Sequence, residues 1–163
     1  MTSKALIALL QDLYREKVAL RDRHVAGAAF VPAYDFNNTY QYVIGREEHH
    51  VQWVRDALKD LTGEVPGEVP VPEVPREGRG EAAMRAVIAD DARRMAEFID
   101  RWAPRVETLT HARNRTMLRL MLGEMIEQKR FFEQMLAGRD DLLGRRTGGK
   151  TTGGGVLPDR WVG

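Results

Sequence analysis

The sequence predicts an all-α protein: an antiparallel four-helix bundle of two helical hairpins joined by a long Pro-rich crossover, with a flexible C-terminal tail. Three observations predict this fold. Four long stretches repeat apolar residues at the spacing of an amphipathic helix. The breaks within the first and second pairs of stretches are short, whereas the break between the pairs is long and rich in proline. Two hairpins joined in this way form a bundle with one long crossover.

Composition leaves room for one domain, residues 1–143, followed by a tail over residues 144–163. The net charge is +1, so no overall electrostatic attraction to nucleic acid or anionic lipid is expected. The chain has no cysteine, so any metal would be held by carboxylate, imidazole or water, which suits iron or manganese. No signal peptide and no apolar stretch of about 20 residues is evident, which predicts a cytoplasmic protein without a membrane span.

The first hairpin is predicted from helical spacing and from its breaks. The first helix begins at Ser3, a good N-cap, and runs to about Ala26, before Gly27 and Pro32 break the pattern. The second helix is capped by Asn37 or Asn38 and ends near Leu61. The apolar stripe of the first helix comprises Leu6, Leu9, Leu10, Leu13 and Leu20, and that of the second comprises Tyr40, Val43, Ile44, Val51, Val54, Leu58 and Leu61.

Residues 63–80 are predicted to form the crossover, because four prolines and three Glu-Val-Pro units favour an extended path. The third helix begins near Glu81, and Pro104 marks its end or a kink. Thr110 is a reasonable cap for the fourth helix, and Gly138 terminates it. The inward residues of the third helix are Met84, Val87, Ile88, Met95, Phe98 and Trp102; those of the fourth are Met117, Leu118, Leu120, Met121, Phe131, Met135 and Leu136.

Each predicted helix carries an acidic residue near its middle where a hydrophobic residue is expected. Glu47 and His50, one turn apart on the second helix, project from the same face. With a rise of about 1.5 Å per residue, antiparallel packing brings Glu16, about ten residues before its helix ends, level with Glu47, about ten after its helix begins. The full set of inward candidates is Glu16, Glu47, His50, Asp91, Glu124 and Glu127.

Such a set of acids at one level would be very costly in an empty core, because carboxylates repel one another and each loses its hydration. Two divalent cations would neutralise them. The sequence therefore predicts a metal site inside the bundle, with Glu47 and His50 as its strongest element.

On these residues, the chain resembles the ferritin-like di-iron carboxylate superfamily, in particular its rubrerythrin and bacterioferritin branches. The resemblance covers residues 3–136 at the level of architecture. It implies that Glu16 and His50 help to hold one iron, that Glu47 and Glu124 bridge, and that Asp91 and Glu127 complete the second site, with manganese as an alternative metal.

The chain departs from the family pattern twice. Its third acid is Asp91, shorter than glutamate, and Asp90 or Glu97 could take its place. The second histidine of the pattern is absent, and Glu127 or Gln128 stands there instead. The second metal position is therefore the weaker one.

The resemblance implies an oxidoreductase that oxidises ferrous iron or reduces peroxide, with oxygen or hydrogen peroxide as oxidant. Without cysteines for a rubredoxin-type centre, electrons would come from a partner or from iron itself. One alternative is a di-iron oxygenase with an organic substrate. The other is a metal-free bundle that acts as an interaction module, in which Glu16, Glu47 and Glu124 pair with Arg or Lys.

Two expectations concern assembly. Ferritin-like bundles commonly pair, so a dimer or larger homo-oligomer is expected. The tail is a Gly-rich linker followed by the apolar residues Val156, Leu157, Pro158, Trp161 and Val162. In composition it resembles the peptides that dock ferritin-like cargo in encapsulin shells; alternatively, it packs on its own bundle or on a dimer mate.

Overall fold

The computed structural model describes residues 1–71, 78–139 and 141–143 of the chain. Its regular structure consists of four helices: α1 (Ser3–Ala28), α2 (Tyr34–Thr62), α3 (Gly80–Glu107) and α4 (Ala112–Leu136). They pack chiefly as two hairpins, α1 with α2 and α3 with α4. The predicted all-α bundle of two hairpins is confirmed. The predicted tail, residues 144–163, lies outside the described residues.

The caps differ from the predicted ones by a few residues. Thr2, not Ser3, caps α1 by accepting a hydrogen bond from the backbone of Ala5. Helix α2 begins at Tyr34, ahead of the predicted Asn caps, and Asn37 instead donates to the carbonyls of Ala28 and Val31, which closes the first hairpin. The Asn37 side chain thus stabilises the loop before α2 and does not cap the helix.

The second hairpin also differs at its turn. Pro104 lies inside α3, and the helix continues past it to Glu107, so Pro104 does not end this helix. His111, rather than Thr110, caps α4 by accepting from the backbone of Asn114. Gly138 follows the end of α4 with a positive φ angle of 87°, as predicted for a helix-terminating glycine, and Gly63 plays the same part after α2 with a φ angle of 78°.

The crossover carries the chain from one end of the bundle to the other. Arg85, near the start of α3, donates to the carbonyl of Leu136 at the end of α4, so these two helices are antiparallel. The described first part of the crossover runs beside α1, where residues 66–70 line a shallow cavity with Gln11 and Tyr14. Residues 72–77 of the predicted crossover lie outside the described residues.

A single apolar core runs along the bundle, and its largest fully buried apolar side chains include Trp102, Tyr40, Phe132 and Leu10. One predicted core residue is misplaced: Leu120 is 60% exposed. Within the described part of the chain, no helix is both long and apolar enough to cross a bilayer. The helices are amphipathic, and the core they enclose contains several charged side chains.

Candidate functional site

Four of the predicted metal ligands lie in or beside the core. Glu47 and His50 of α2 and Asp91 of α3 are fully buried, and the Glu124 side chain of α4 is 30% exposed. Asp91, and not Asp90 or Glu97, is the inward acid of α3, because Asp90 pairs with Arg23, Arg93 and Arg94 nearer the surface. Three helices therefore bring carboxylates or imidazole together as the sequence predicts.

The other two predicted ligands do not face the core. The Glu16 side chain is 37% exposed and accepts hydrogen bonds from Arg101, at 3.0 and 3.1 Å, and from the Trp102 indole. Glu127 is exposed. The inward placement predicted for these two residues is wrong, because the next residue in each helix, Lys17 or Gln128, takes the buried position.

Lys17 of α1 places a basic side chain in the core, beside Glu47. Its side chain is fully buried, with Nζ 3.5 Å from Glu47 Oε2 and 5.8 Å from the centre of the Phe98 ring. Burial lowers the pKa of Lys17, whereas the nearby Glu47 and Glu124 carboxylates favour its charged form. A cation supplied by α1 thus occupies the position where a glutamate ligand was predicted.

Glu47 has two cationic neighbours, both from α1. Its other oxygen, Oε1, accepts from Nδ1 of the fully buried His24. Burial alone would raise the pKa of Glu47, but His24 and Lys17 outweigh it and lower the pKa to about 2. For His24, burial opposes protonation, yet Glu47 and then Asp91 prevail and raise the pKa of the imidazole. Glu47 is therefore ionised, and His24 favours its protonated form.

Asp91 is held by a tyrosine from the first hairpin. Tyr40, fully buried on α2, donates its hydroxyl to Asp91 Oδ2 at 2.6 Å. The Tyr40 ring also packs against Phe132, with ring centres 5.1 Å apart. This hydrogen bond joins α2 to α3, so it connects the two hairpins through the core.

A second branch of the cluster joins α2 to α4. His50 Nε2 donates to Glu124 Oε2 at 3.0 Å, and Arg46 Nε donates to Glu124 Oε1 at 2.7 Å. Burial and Lys17 lower the pKa of His50 to about 4, despite the neighbouring Glu124. Burial raises the pKa of Glu124, but Arg46 and His50 outweigh it and lower that pKa. His50 is therefore neutral at pH 7, and Glu124 is ionised.

These contacts pair each acid of the buried cluster with a group from the chain itself. Lys17 and His24 of α1 contact Glu47, Arg46 of α2 contacts Glu124, and the Tyr40 hydroxyl contacts Asp91. The sequence argument required two divalent cations because the six predicted ligands contained no positive charge. In the fold, the chain supplies that charge itself.

The residues present do not fit the predicted two-metal cage. Two of its six ligands point elsewhere, and the Lys17 ammonium lies beside Glu47, where repulsion would oppose a metal cation. Among the described residues, no group of three or more His, Asp or Glu side chains is placed to hold a metal ion. The buried side-chain atoms without a hydrogen-bond partner in that part of the chain include His24 Nε2, His50 Nδ1 and Gln128 Oε1.

The residues that sequence reasoning missed can be found from a stricter helical register. In both α1 and α4, one set of buried positions runs the length of the helix with alternate spacings of three and four residues, which is the a/d pattern of helices packed lengthwise. That register includes Lys17, His24 and Gln128, and it excludes Glu16 and Glu127. The full sets are Leu6, Leu10, Leu13, Lys17, Leu20, His24 and Gly27 in α1, and Asn114, Leu118, Met121, Met125, Gln128, Phe132 and Met135 in α4.

The surface where α2 and α4 meet is a second candidate site, called here the α2/α4 seam. At one end of the seam the rings of Tyr42 and Phe131 are in contact, with centres 6.1 Å apart, and at its middle Arg46 pairs with Glu124. At the other end, side chains of both helices line an open groove of about 480 Å³. The groove is lined by Trp53, Ala57, Leu61, Met117 and Leu120, with Asp56, Asp60, His111, Arg113, Asn114 and Thr116 also contributing.

No protein-family model, curated protein or solved structure matches this chain. The comparisons therefore add no family to the four-helix architecture. The functional argument depends on the buried cluster and on the α2/α4 seam.

Proposed function

We propose that this chain is a metal-independent helical bundle that acts as a binding module, with the α2/α4 seam as its interaction surface. The observation that carries the proposal is the pairing of the acids in the core. Each acid of the buried cluster has a cationic or hydrogen-bonding partner from the chain itself: Lys17 and His24 for Glu47, Tyr40 for Asp91, and Arg46 with His50 for Glu124.

The cluster has a structural role that fits this proposal. Its contacts cross between helices: α1 to α2 at Glu47, α2 to α3 at Asp91, and α2 to α4 at Glu124. A buried polar pair is satisfied in one helical register only, so such a cluster penalises slipped packings of the four helices. We therefore assign the cluster to fixing the bundle, which leaves binding to the surface.

The seam has the composition of a binding surface. Leu120 is 60% exposed, and the neighbouring Trp53, Met117 and Leu61 are half-buried in the same groove. Apolar side chains grouped in this way, with charged residues at the rim, are typical of surfaces that bind another polypeptide. The seam is therefore the surface to which we assign the proposed interaction.

Anaerobic ferrous loading followed by metal analysis tests the proposal. We expect the purified chain to retain no stoichiometric iron or manganese after desalting, and its melting temperature to be unchanged by loading or by a chelator. The proposal would be wrong if the chain retained about two irons that are lost in Glu47→Ala but kept in Glu48→Ala, a variant at the exposed neighbouring position. Circular dichroism of both variants shows that they are folded.

A second candidate function is ferrous-iron oxidation or peroxide reduction by a ferritin-like di-iron or di-manganese centre. Its support is that Glu47, His50 and Asp91 are buried together, with Glu124 beside them, and that His24 and His50 each keep one buried nitrogen without a partner in the described part of the chain. This candidate requires the Lys17 ammonium to leave Glu47. It predicts oxygen consumption on ferrous addition and stronger metal retention in Lys17→Ala, neither of which the metal-independent bundle would show.

A further inference from the structure

The groove at the end of the α2/α4 seam lacks an occupant among the described residues, and its chemistry specifies one. Its floor is apolar, formed by Trp53 and Ala57 of α2 and by Met117 and Leu120 of α4. Its rim carries Asp56 and Asp60 of α2, and opposite them Arg113 of α4 with His111, the residue that caps α4. Across the described residues, neither Asp60 nor Arg113 takes part in an ion pair.

We propose that residues 156–162 of the same chain dock in this groove. This inference rests on the proposed function, because it takes the groove to be a peptide-binding surface. The segment matches the groove in two respects. Its apolar residues, among them Leu157 and Trp161, suit the apolar floor, and its adjacent Asp159 and Arg160 present opposite charges to a rim that has one acidic and one basic side. Arg160 would face Asp60, and Asp159 would face Arg113.

The chain is long enough to reach the groove. Met117 and Leu120 lie 19 and 16 residues before Leu136, so the groove is about 24 to 29 Å along the bundle from the end of α4. Twelve residues, 144–155, separate Leu143 from the segment. Fully extended, they span about 40 Å, and a Gly-rich chain of that length has a mean span of about 17 to 21 Å. Docking on the same bundle therefore needs no full extension.

Tethering favours the same chain over a second copy. A segment linked by a short Gly-rich sequence has an effective concentration in the millimolar range near its own bundle. A second copy at micromolar concentration would compete poorly unless it made additional contacts. The absence of cysteine from the sequence makes this arrangement directly testable, because any engineered disulfide is unambiguous.

The test uses the full chain with two engineered cysteine pairs. The groove pair is Thr116→Cys with Val162→Cys, and the control pair is Tyr34→Cys with Val162→Cys. Thr116 lines the groove and is exposed; Tyr34 is 76% exposed and lies near the end of the bundle where α4 ends. An undirected tail would therefore reach Tyr34 more readily than Thr116. Disulfides form only between residues whose Cα atoms approach to within about 7 Å.

We expect the groove pair to form an intramolecular disulfide at least about tenfold faster than the control pair under mild oxidation. Adding Leu120→Asp should release the segment, so the groove-pair rate should fall to the control-pair rate or below it, and the control-pair rate should rise. Leu120 is largely exposed, so this variant should fold, and circular dichroism verifies that. Equal rates for the two pairs, or a groove-pair rate that Leu120→Asp does not change, would overturn the proposal.

Two other outcomes have defined meanings. If the groove pair gives covalent dimers whose yield falls on dilution, the segment docks on a second copy and the same-chain assignment is wrong. The cross-linking assay contains no metal, so its failure leaves the iron-loading result intact. Conversely, iron retention would reject the metal-independent function without changing the cross-linking rates.

Discussion

Glu47 and Glu124 have the same predicted role, that of bridging two metal ions, but the fold places their side chains in different environments. Glu47 is fully buried between Lys17 and His24. Glu124 is 30% exposed and is bound by Arg46 and by His50. Both carboxylates are ionised and both have cationic or imidazole partners, yet only one of them is separated from water.

The difference teaches that burial, more than the number of partners, determines what each residue contributes to stability. A buried charge that loses its partner retains its desolvation cost, which is several kcal/mol. A half-exposed charge in the same position is solvated by water, so its ion pair contributes only about 0 to 1 kcal/mol. The following predictions compare the two branches of the cluster, in order of decreasing effect.

The largest effect is expected for Glu47→Ala. It leaves the ammonium of Lys17 and the imidazole of His24 buried without their carboxylate, so we expect a loss of about 3 to 5 kcal/mol in the free energy of unfolding. Urea denaturation followed by circular dichroism measures it. Glu48→Ala, at the exposed neighbouring position, should change the free energy of unfolding by less than about 0.5 kcal/mol.

A double variant checks the physical cause of that loss. Lys17→Met with Glu47→Leu replaces the buried ion pair by apolar groups of similar size, which is often neutral or stabilising. We expect it to recover a large part of the stability lost in Glu47→Ala. A double variant no more stable than Glu47→Ala would show that packing around Glu47, rather than uncompensated charge, causes the loss.

The second prediction concerns pH and the His50 branch. The pKa of His50 is lowered to about 4 in the fold, against about 6.5 in the unfolded chain, so between these values the unfolded state binds more protons. This contribution to stability is complete above pH 6.5 and is lost as the pH falls toward 4, for a total of about 3 kcal/mol.

Urea denaturation between pH 6.5 and 4.5 tests this sign, and His50→Gln should remove most of the slope. The other buried titratable groups, His24 and Glu47, change the stability in different pH ranges. The raised pKa of His24 produces the opposite slope, above pH 6.5, and the pKa of Glu47, about 2, acts below about pH 4.5. Unchanged stability from pH 6.5 to 4.5 in the parent chain would contradict the assignment of His50 as a neutral buried imidazole.

The third prediction concerns the link between the two hairpins. Tyr40→Phe removes the hydroxyl that donates to Asp91 while leaving the ring in place, so we expect a loss of about 1 to 2 kcal/mol. Thermal or urea unfolding measures it, with Tyr42→Phe as the control because Tyr42 is partly exposed at the surface. Equal effects of the two substitutions would mean that the Asp91 contact does not stabilise the fold.

The smallest effect is expected for Glu124→Gln. This substitution keeps the shape of the side chain and removes its charge. Because Glu124 is partly exposed, the free energy of unfolding should fall by no more than about 1 kcal/mol, and by less at high salt. Glu127→Gln, one turn away and exposed, is the control and should have no measurable effect. A loss as large as that of Glu47→Ala would remove the contrast between the two carboxylates.

Much of the fold could be predicted from the sequence, because amphipathic spacing and proline placement are local signals. All four helices were predicted, with ends within a few residues of those observed. The helix starts shifted because caps compete locally: Asn37 could cap a helix, but in the fold it binds the carbonyls of the preceding loop. Leu120 was placed inward since a hydrophobic residue one position off the core stripe still satisfies a loose helical pattern.

The candidate site was predicted in part. Glu47, His50 and Asp91 fall on the strict three-and-four register and are buried as predicted. Glu16 was chosen over Lys17 because an acid suits a metal cage. One residue is a rotation of about 100°, enough to move a side chain from the core to the surface. A long lysine at an a/d position is also easily taken for a solvated residue, since its burial depends on a partner from another helix.

The sequence by itself determined the helices, their pairing into hairpins and the presence of polar residues in the middle of the bundle, because these follow from periodicity along one chain. Only the tertiary structure decided what those polar residues do. A carboxylate is a metal ligand or half of an ion pair according to which charge lies within a few ångströms. For Glu47 that charge is the Lys17 ammonium, thirty residues away in sequence and 3.5 Å away in space.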